Sequence, residues 1–207
     1  MPFRELAKRL IPAAAAPIVR DCREMPVDKA ITYLRLRAWR KLGLRADRAV
    51  LRRLRPKSVL FVCHGNIMRS PMAAELFRAR IARLGADISV ASAGTWTSKG
   101  RPADPRARAA AEALGVSLAS HRSQPITSAL MAGSDLVCVM DYRNEVDVLT
   151  RFPGAGKKTI MLGGLDASPS DGAMIPDPFS LGPDGVEQCY RRLDSAITEL
   201  VRALGLS

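Results

Sequence analysis

The chain has 207 residues, 47% of them hydrophobic, enough for one α/β domain with an appendage. No run approaches the roughly 18 consecutive apolar residues of a membrane-spanning helix, and the four cysteines lie too far apart for metal-binding spacing. The net charge of +12 is lopsided: residues 1–57 hold 16 Lys/Arg against 5 Asp/Glu, whereas residues 58–207 hold 16 against 15.

Residues 1–24 read as an irregular or helical lead. Lys8–Val19 loosely resembles a signal peptide, but Pro12 and Pro17 break its apolar centre and Arg20 and Asp21 follow at once. An organellar transit peptide fits the arginine excess slightly better. A longer helix starts at Val27-Asp28, with Ile31, Leu34, Ala38 and Leu42 at helical spacing, and Gly43 ends it. A short helix from Asp47 to Leu54 carries Val50, Leu51 and Leu54 on one side and Arg48, Arg52 and Arg53 on the other. Arg55-Pro56-Lys57 is the junction. The pattern predicts a basic, mainly helical extension over 1–57 and a separate domain over 58–207.

From residue 58 the pattern alternates. Strands are predicted at 58–62, 88–92, 135–140 and 158–161, and helices at 71–84, 104–114, 142–150 and 183–204. Strands separated by helices imply right-handed crossovers. The expected fold is therefore a small doubly wound α/β domain: a four-stranded parallel sheet with helices on both faces, preceded by the helical extension.

The stretch Cys63-His-Gly-Asn-Ile-Met-Arg69-Ser70-Pro71 follows the first strand directly. Ser70 is placed to cap the next helix, with Pro71 at its first position. Strand, tight loop and helix N-terminus form an anion cradle, since the loop amides and the helix dipole present positive potential. The same field stabilises a thiolate, so Cys63 is the candidate nucleophile. Arg69 can hold two phosphate oxygens with its planar fork. Gly65 and Asn66 supply the unusual backbone of the turn. The chemistry that needs this set is phosphoryl transfer to cysteine. Cys138 falls inside the strand pattern Leu136–Met140 and reads as a buried structural thiol; Cys189, on the last helix, reads as inert.

The loop from Val62 through Glu75 resembles the signature of the low-molecular-weight protein tyrosine phosphatases. Further blocks extend the resemblance over about 58–207: Ser92-Ala-Gly94-Thr, Gly100-Arg-Pro-Ala-Asp104-Pro105-Arg106, His121-Arg122-Ser, Val139-Met-Asp141 and Asp177-Pro178-Phe179. It implies hydrolysis of phosphotyrosine or other aryl phosphate monoesters through a cysteinyl-phosphate intermediate, with no cofactor and no metal. It further implies that Asp177 is the general acid, that Phe179 stacks on the substrate ring, and that Ser70 donates to the Cys63 sulfur as well as capping. His121 is implied as a buttress joined to an Asn66/Ser92 network, while His64, Ile67, Met68 and Trp96 line the mouth. Two departures stand out. Met68 occupies a position where the family often has a second, protective cysteine. Trp96 sits one place before the usual aromatic, and Ser180 follows Phe179 where some members have a second tyrosine.

Two other functions compete. An arsenate reductase of the related fold would need two further shuttling cysteines, and none pair up around Met140–Asn144. A non-catalytic anion- or phosphopeptide-binding module would have no use for Cys63. The partner expected is a tyrosine-phosphorylated protein, in a reducing compartment and hence the cytoplasm. For residues 1–57 the sequence leaves three readings: packing of the apolar stripe on the catalytic domain, peripheral attachment to an anionic membrane surface through Trp39 and the arginine-rich face, or contact with an acidic partner, nucleic acid being disfavoured.

Overall fold

The computed structural model describes residues 16–44, 47–165 and 173–206. The expectations for the lead before residue 16 lie outside the described residues. The chain divides into two compact units, Met1–Arg45 and Ala46–Ser207, so the boundary lies twelve residues before the expected one at 57/58.

In the first unit, α1 (Ala16–Arg23) is joined by a short turn to α2 (Val27–Lys41). Tyr33 of α2 donates its hydroxyl to Asp21 Oδ2 of α1 at 2.8 Å, and Arg37 donates to the Tyr33 oxygen at 3.3 Å. The buried residues of α2 are Tyr33 and Leu36. Ile31, Leu34, Ala38 and Leu42, whose spacing suggested a packing stripe, are all exposed.

The second unit begins with α3 (Asp47–Arg53), which belongs to the α/β domain and not to the extension. Its Asp47 side chain accepts from the Met161 amide at 3.0 Å, and Leu51 lies in the main core. Four strands follow: β1 (Ser58–Cys63), β2 (Ser89–Gly94), β3 (Leu136–Val139) and β4 (Thr159–Met161). They form one parallel sheet, as the alternation predicted, and its strand order is β2-β1-β3-β4. After Ser58 the central strands are apolar because a parallel sheet between helical layers is dry on both faces. Val59 and Phe61 of β1 and Leu136 and Cys138 of β3 enter a core with α4 (Arg69–Arg83), α5 (Pro105–Ala113) and α8 (Pro183–Ala203). On the other face α7 (Tyr142–Arg151) lies against β3 and β4. The short α6 (Ser128–Ala132) precedes β3; at one turn and a half it is too short to show a period in sequence.

The sheet places the carboxyl ends of β1 and β3 side by side, where open α/β sheets bind ligands. At the end of β2, Gly94 lies opposite Cys63 in register. A Cβ there would sit 2.7 Å from the His64 carbonyl oxygen and 2.7 Å from the Thr97 methyl. Gly94→Ala should therefore push the 64–68 loop outward and destabilise the fold by roughly 1–3 kcal/mol. Gly154→Ala, where a Cβ meets nothing within 4 Å, should be near neutral. Paired urea titrations check this; equal midpoints for the two variants would show that the close approach is relaxed without cost.

Candidate active site

Cys63 is the last residue of β1, and the chain turns immediately after it. Asn66 is the turn's pivot, with φ of +51°, the one non-glycine residue at positive φ among those described. Asparagine tolerates this region better than most residues. The turn brings the Asn66 amide to 3.2 Å from Cys63 Sγ, which accepts from it. α4 then begins at Arg69, two residues before its expected start, with Met68 at the cap position and no side-chain cap.

Ser70 is consequently inside the first turn and does not cap the helix. Its hydroxyl is committed elsewhere: Oγ lies 3.0 Å from Cys63 Sγ, accepts from Asn66 Nδ2 at 2.9 Å and lies 3.3 Å from the Ala93 carbonyl. Because Asn66 donates to it, the serine proton is left for the sulfur or that carbonyl. The capping role fails because the helix already starts at Arg69, which puts Ser70 past the cap position.

Behind the turn, Asn66 Nδ2 also donates to Ser92 Oγ at 2.9 Å, and Asn66 Oδ1 accepts from the Gln124 amide at 2.9 Å. His121 Nε2 lies 2.7 Å from the Asn66 carbonyl. Burial lowers the His121 pKa and this hydrogen bond only partly offsets it, so the ring is neutral at pH 7 and donates from Nε2. Asn66, Ser70, Ser92 and His121 thus lie behind the loop and not on its open side.

On the open side is a cleft of about 230 Å³. Cys63 and Arg69 line it, His64, Gly65, Ile67 and Met68 follow the loop edge, and Trp96 and Phe179 stand exposed at its mouth with Asp177. Arg69 is only 2% exposed at its side chain. It donates from Nη1 to Asp141 Oδ2 at 2.6 Å and to the Ile175 carbonyl at 3.1 Å, and from Nη2 to Asp177 Oδ2 at 2.5 Å. Burial pulls the Arg69 pKa down, but the charges of Asp141, Asp177 and Cys63 outweigh it and the net shift is upward. Cys138 and Cys189 are buried, which pushes the Cys138 thiol well up and Cys189 to about 12, so neither supplies a thiolate. Among the described residues, no group of three or more His, Cys, Asp or Glu is placed to hold a metal ion.

Three residues with evident roles in the geometry received none from the sequence. Asp141 caps α7 by accepting from the Asn144 amide at 2.8 Å with one oxygen and holds Arg69 with the other. Arg106, at the start of α5, is locked by three hydrogen bonds to its neighbour Asp104. From there it reaches the loop after Asp177, donating to the carbonyls of Leu181 at 2.8 Å and Phe179 at 3.1 Å. Its guanidinium carbon lies 6.0 Å from the centre of the Phe179 ring. Arg101 lines the rim of the cleft. Arg101, Arg106 and Asp141 all lie inside segments that carry the family resemblance, which is the available signal; their long-range contacts are not readable from sequence.

The sequence profile described as low molecular weight phosphotyrosine protein phosphatase matches residues 58–206. A probable low molecular weight protein-tyrosine-phosphatase, EpsP, of Ralstonia nicotianae is 33% identical over 153 residues, covering 72% of this chain and 99% of that protein. The crystal structure of the Erwinia amylovora tyrosine phosphatase AmsI superposes with a TM-score of 0.66 at 33% identity, covering 72% of this chain and 93% of that one. The YwlE arginine phosphatase of Geobacillus stearothermophilus superposes with a TM-score of 0.64 at 29% identity, covering 72% and 92%.

Two variants separate the demands on Asn66. Asn66→Gly keeps the backbone but strands Ser70, Ser92 and the Gln124 amide, and should cost roughly 1–3 kcal/mol. Asn66→Ala should lose roughly 1–2 kcal/mol more, the cost of a Cβ at positive φ. Urea midpoints should fall in the order wild type, Gly, Ala; equal midpoints for the two variants would remove the backbone constraint.

Proposed function

The chain belongs to the low molecular weight phosphotyrosine protein phosphatase family, and from that premise we propose that it hydrolyses aryl phosphate monoesters, phosphotyrosine in proteins foremost, through a cysteinyl-phosphate intermediate. The observation that carries the reading is the convergence of the Cys63 sulfur, the Arg69 fork and the Asp177 carboxyl on one cleft.

In the proposed first step the Cys63 thiolate attacks phosphorus and the bond to the aryl oxygen breaks. Arg69 lines the cleft, and a phosphoryl oxygen takes over the Nη2 donor that Asp177 holds. That exchange releases the Asp177 carboxylate from Arg69; it takes up a proton from the phosphate monoanion or from water and gives it to the departing phenolate. The expanding charge on the equatorial oxygens is met by the fork and by the loop amides. In the second step water attacks phosphorus, Asp177 takes its proton, and the phosphorus–sulfur bond breaks. Ser70, 3.0 Å from the sulfur, donates to the leaving thiolate. The aromatic faces of Trp96 and Phe179 at the mouth favour a flat phenolic ring over a flexible alkyl phosphate. The thiolate mechanism suits a reducing compartment, and we assign the protein to the cytoplasm on that ground; among the described residues no helix is long and apolar enough to cross a membrane.

Cys63→Ser should abolish turnover of p-nitrophenyl phosphate while vanadate still binds; a kcat within tenfold of wild type would remove Cys63 as nucleophile. Asp177→Asn should lower kcat on phenyl phosphate by roughly 10²–10⁴, the usual worth of a positioned acid. The deficit should shrink with very acidic phenols, which leave without a proton. An equal loss across leaving groups would reduce Asp177 to a loop-positioning residue. Faster hydrolysis of phosphoarginine than of a phosphotyrosine peptide would overturn the substrate assignment.

A further inference from the structure

We propose that the exposed face of α2 is a docking surface for membranes rich in anionic phospholipid. Val27, Ile31, Leu34, Ala38 and Leu42 follow one another at intervals of four, three, four and four residues, which aligns them along one side of an α-helix. All five are exposed, Val27 to 77%, Ile31 to 53%, Leu34 to 48% and Leu42 to 70%. The helix has a second apolar face, made of Tyr33 and Leu36, and that is the one that is buried. An amphipathic helix in water ordinarily turns its longest apolar stripe inward. Here the stripe faces outward, and its neighbours are cationic.

The rim identifies the occupant. Going round the helix, Arg35, Asp28 and then Trp39 flank the stripe on one side, and Lys41, Ala30 and Arg37 flank it on the other. The Arg35 guanidinium stacks over the Trp39 ring, 4.8 Å from its centre. Asp28 is the only acidic residue of the fifteen in α2. Aliphatic side chains bounded by an interfacial tryptophan and long cationic side chains match a bilayer surface: acyl chains take the stripe, and phosphate headgroups take the arginines and lysines. A second copy of the same face would set Arg35 and Lys41 against like charges. A purely acidic polymer would leave the aliphatic stripe in water. At fifteen residues α2 is too short to span a bilayer, so it lies along the surface. Attachment of this kind would confine the phosphatase cleft to substrates at the same surface, and it is independent of the chemistry at Cys63.

The test uses the full chain and extruded vesicles. Wild type should co-sediment with phosphatidylglycerol/phosphatidylcholine vesicles at least tenfold more strongly than with pure phosphatidylcholine, and less as salt rises. The pair Ile31→Asp/Leu34→Asp should lower that partition at least tenfold, and so should Arg35→Glu/Lys41→Glu. Circular dichroism and kcat on p-nitrophenyl phosphate should stay at wild-type values in both, since none of these residues serves the cleft. Four results would each overturn the proposal: vesicle binding unchanged in either double variant, equal binding to neutral vesicles, a wild-type dimer that Ile31→Asp/Leu34→Asp dissolves without any vesicle binding, or binding to polyglutamate in place of vesicles.

Discussion

A guanidinium buried to 2% exposure sets the terms for the rest of the site. Removing a cation from water costs several kcal/mol unless opposite charge and hydrogen bonds replace the solvent. Arg69 recovers that cost from two carboxylates and one carbonyl, Asp141 following β3 and Ile175 and Asp177 sharing the loop before α8. Each carboxylate divides its oxygens in the same way: one accepts from its own backbone and the other faces Arg69. Asp141 is thereby fixed to the first turn of α7, and Asp177 to the amide of Phe179 at 3.1 Å. The amide of Ile175 in turn donates to the Met140 carbonyl at 2.7 Å, tying the acid-bearing loop to the end of β3. One cation thus holds together the carboxyl ends of β1 and β3 and the segment before α8.

The two carboxylates are not equivalent. Asp141 is largely shielded, its side chain 17% exposed, whereas Asp177 is 46% exposed and stands at the cleft. In the proposed mechanism an incoming phosphate exchanges with Asp177 and leaves Asp141 seated, so the fork keeps one carboxylate partner throughout, the preorganisation that such a mechanism requires. Arg106 adds a second hold on the loop that carries Asp177 and Phe179, through the carbonyls of Phe179 and Leu181 and the Phe179 ring. On the opposite side of the loop, Asn66 spends its whole amide on Ser70, Ser92 and Gln124, leaving the sulfur one neutral donor and one backbone amide.

The sheet and the nucleophile loop were legible because their signals are local. β1 carries a five-residue apolar run, Val59–Cys63, and a thiol, a glycine, an asparagine and an arginine within seven positions leave little choice of geometry. What escaped was what depends on tertiary partners. Asp141 lies 72 residues from Arg69 and looks like an ordinary helix cap; Arg106 reads as a surface charge until its partners some 75 residues away are in view. Ser70 was misassigned in part because a cap and a buried thiol partner carry the same residue type. On α2 the spacing reveals the longer stripe, whereas the buried residues are Tyr33 and Leu36, and the bond from Tyr33 to Asp21 of α1 is a tertiary contact that no spacing shows. α3 was set on the wrong side of the domain boundary because its basic composition matched the extension while its Asp47 and Leu51 serve the core.

The central claim is that Cys63 carries the phosphoryl group between the two steps. Acid-quenching the enzyme within milliseconds of mixing with p-nitrophenyl phosphate, followed by peptide mass spectrometry, tests it directly. The account predicts one phosphoryl group on the peptide containing Cys63 and none elsewhere, accumulating further in Asp177→Asn on an acidic phenol, where the second step is the slower. Turnover with no phosphopeptide at any quench time, or phosphate on another residue, would contradict it.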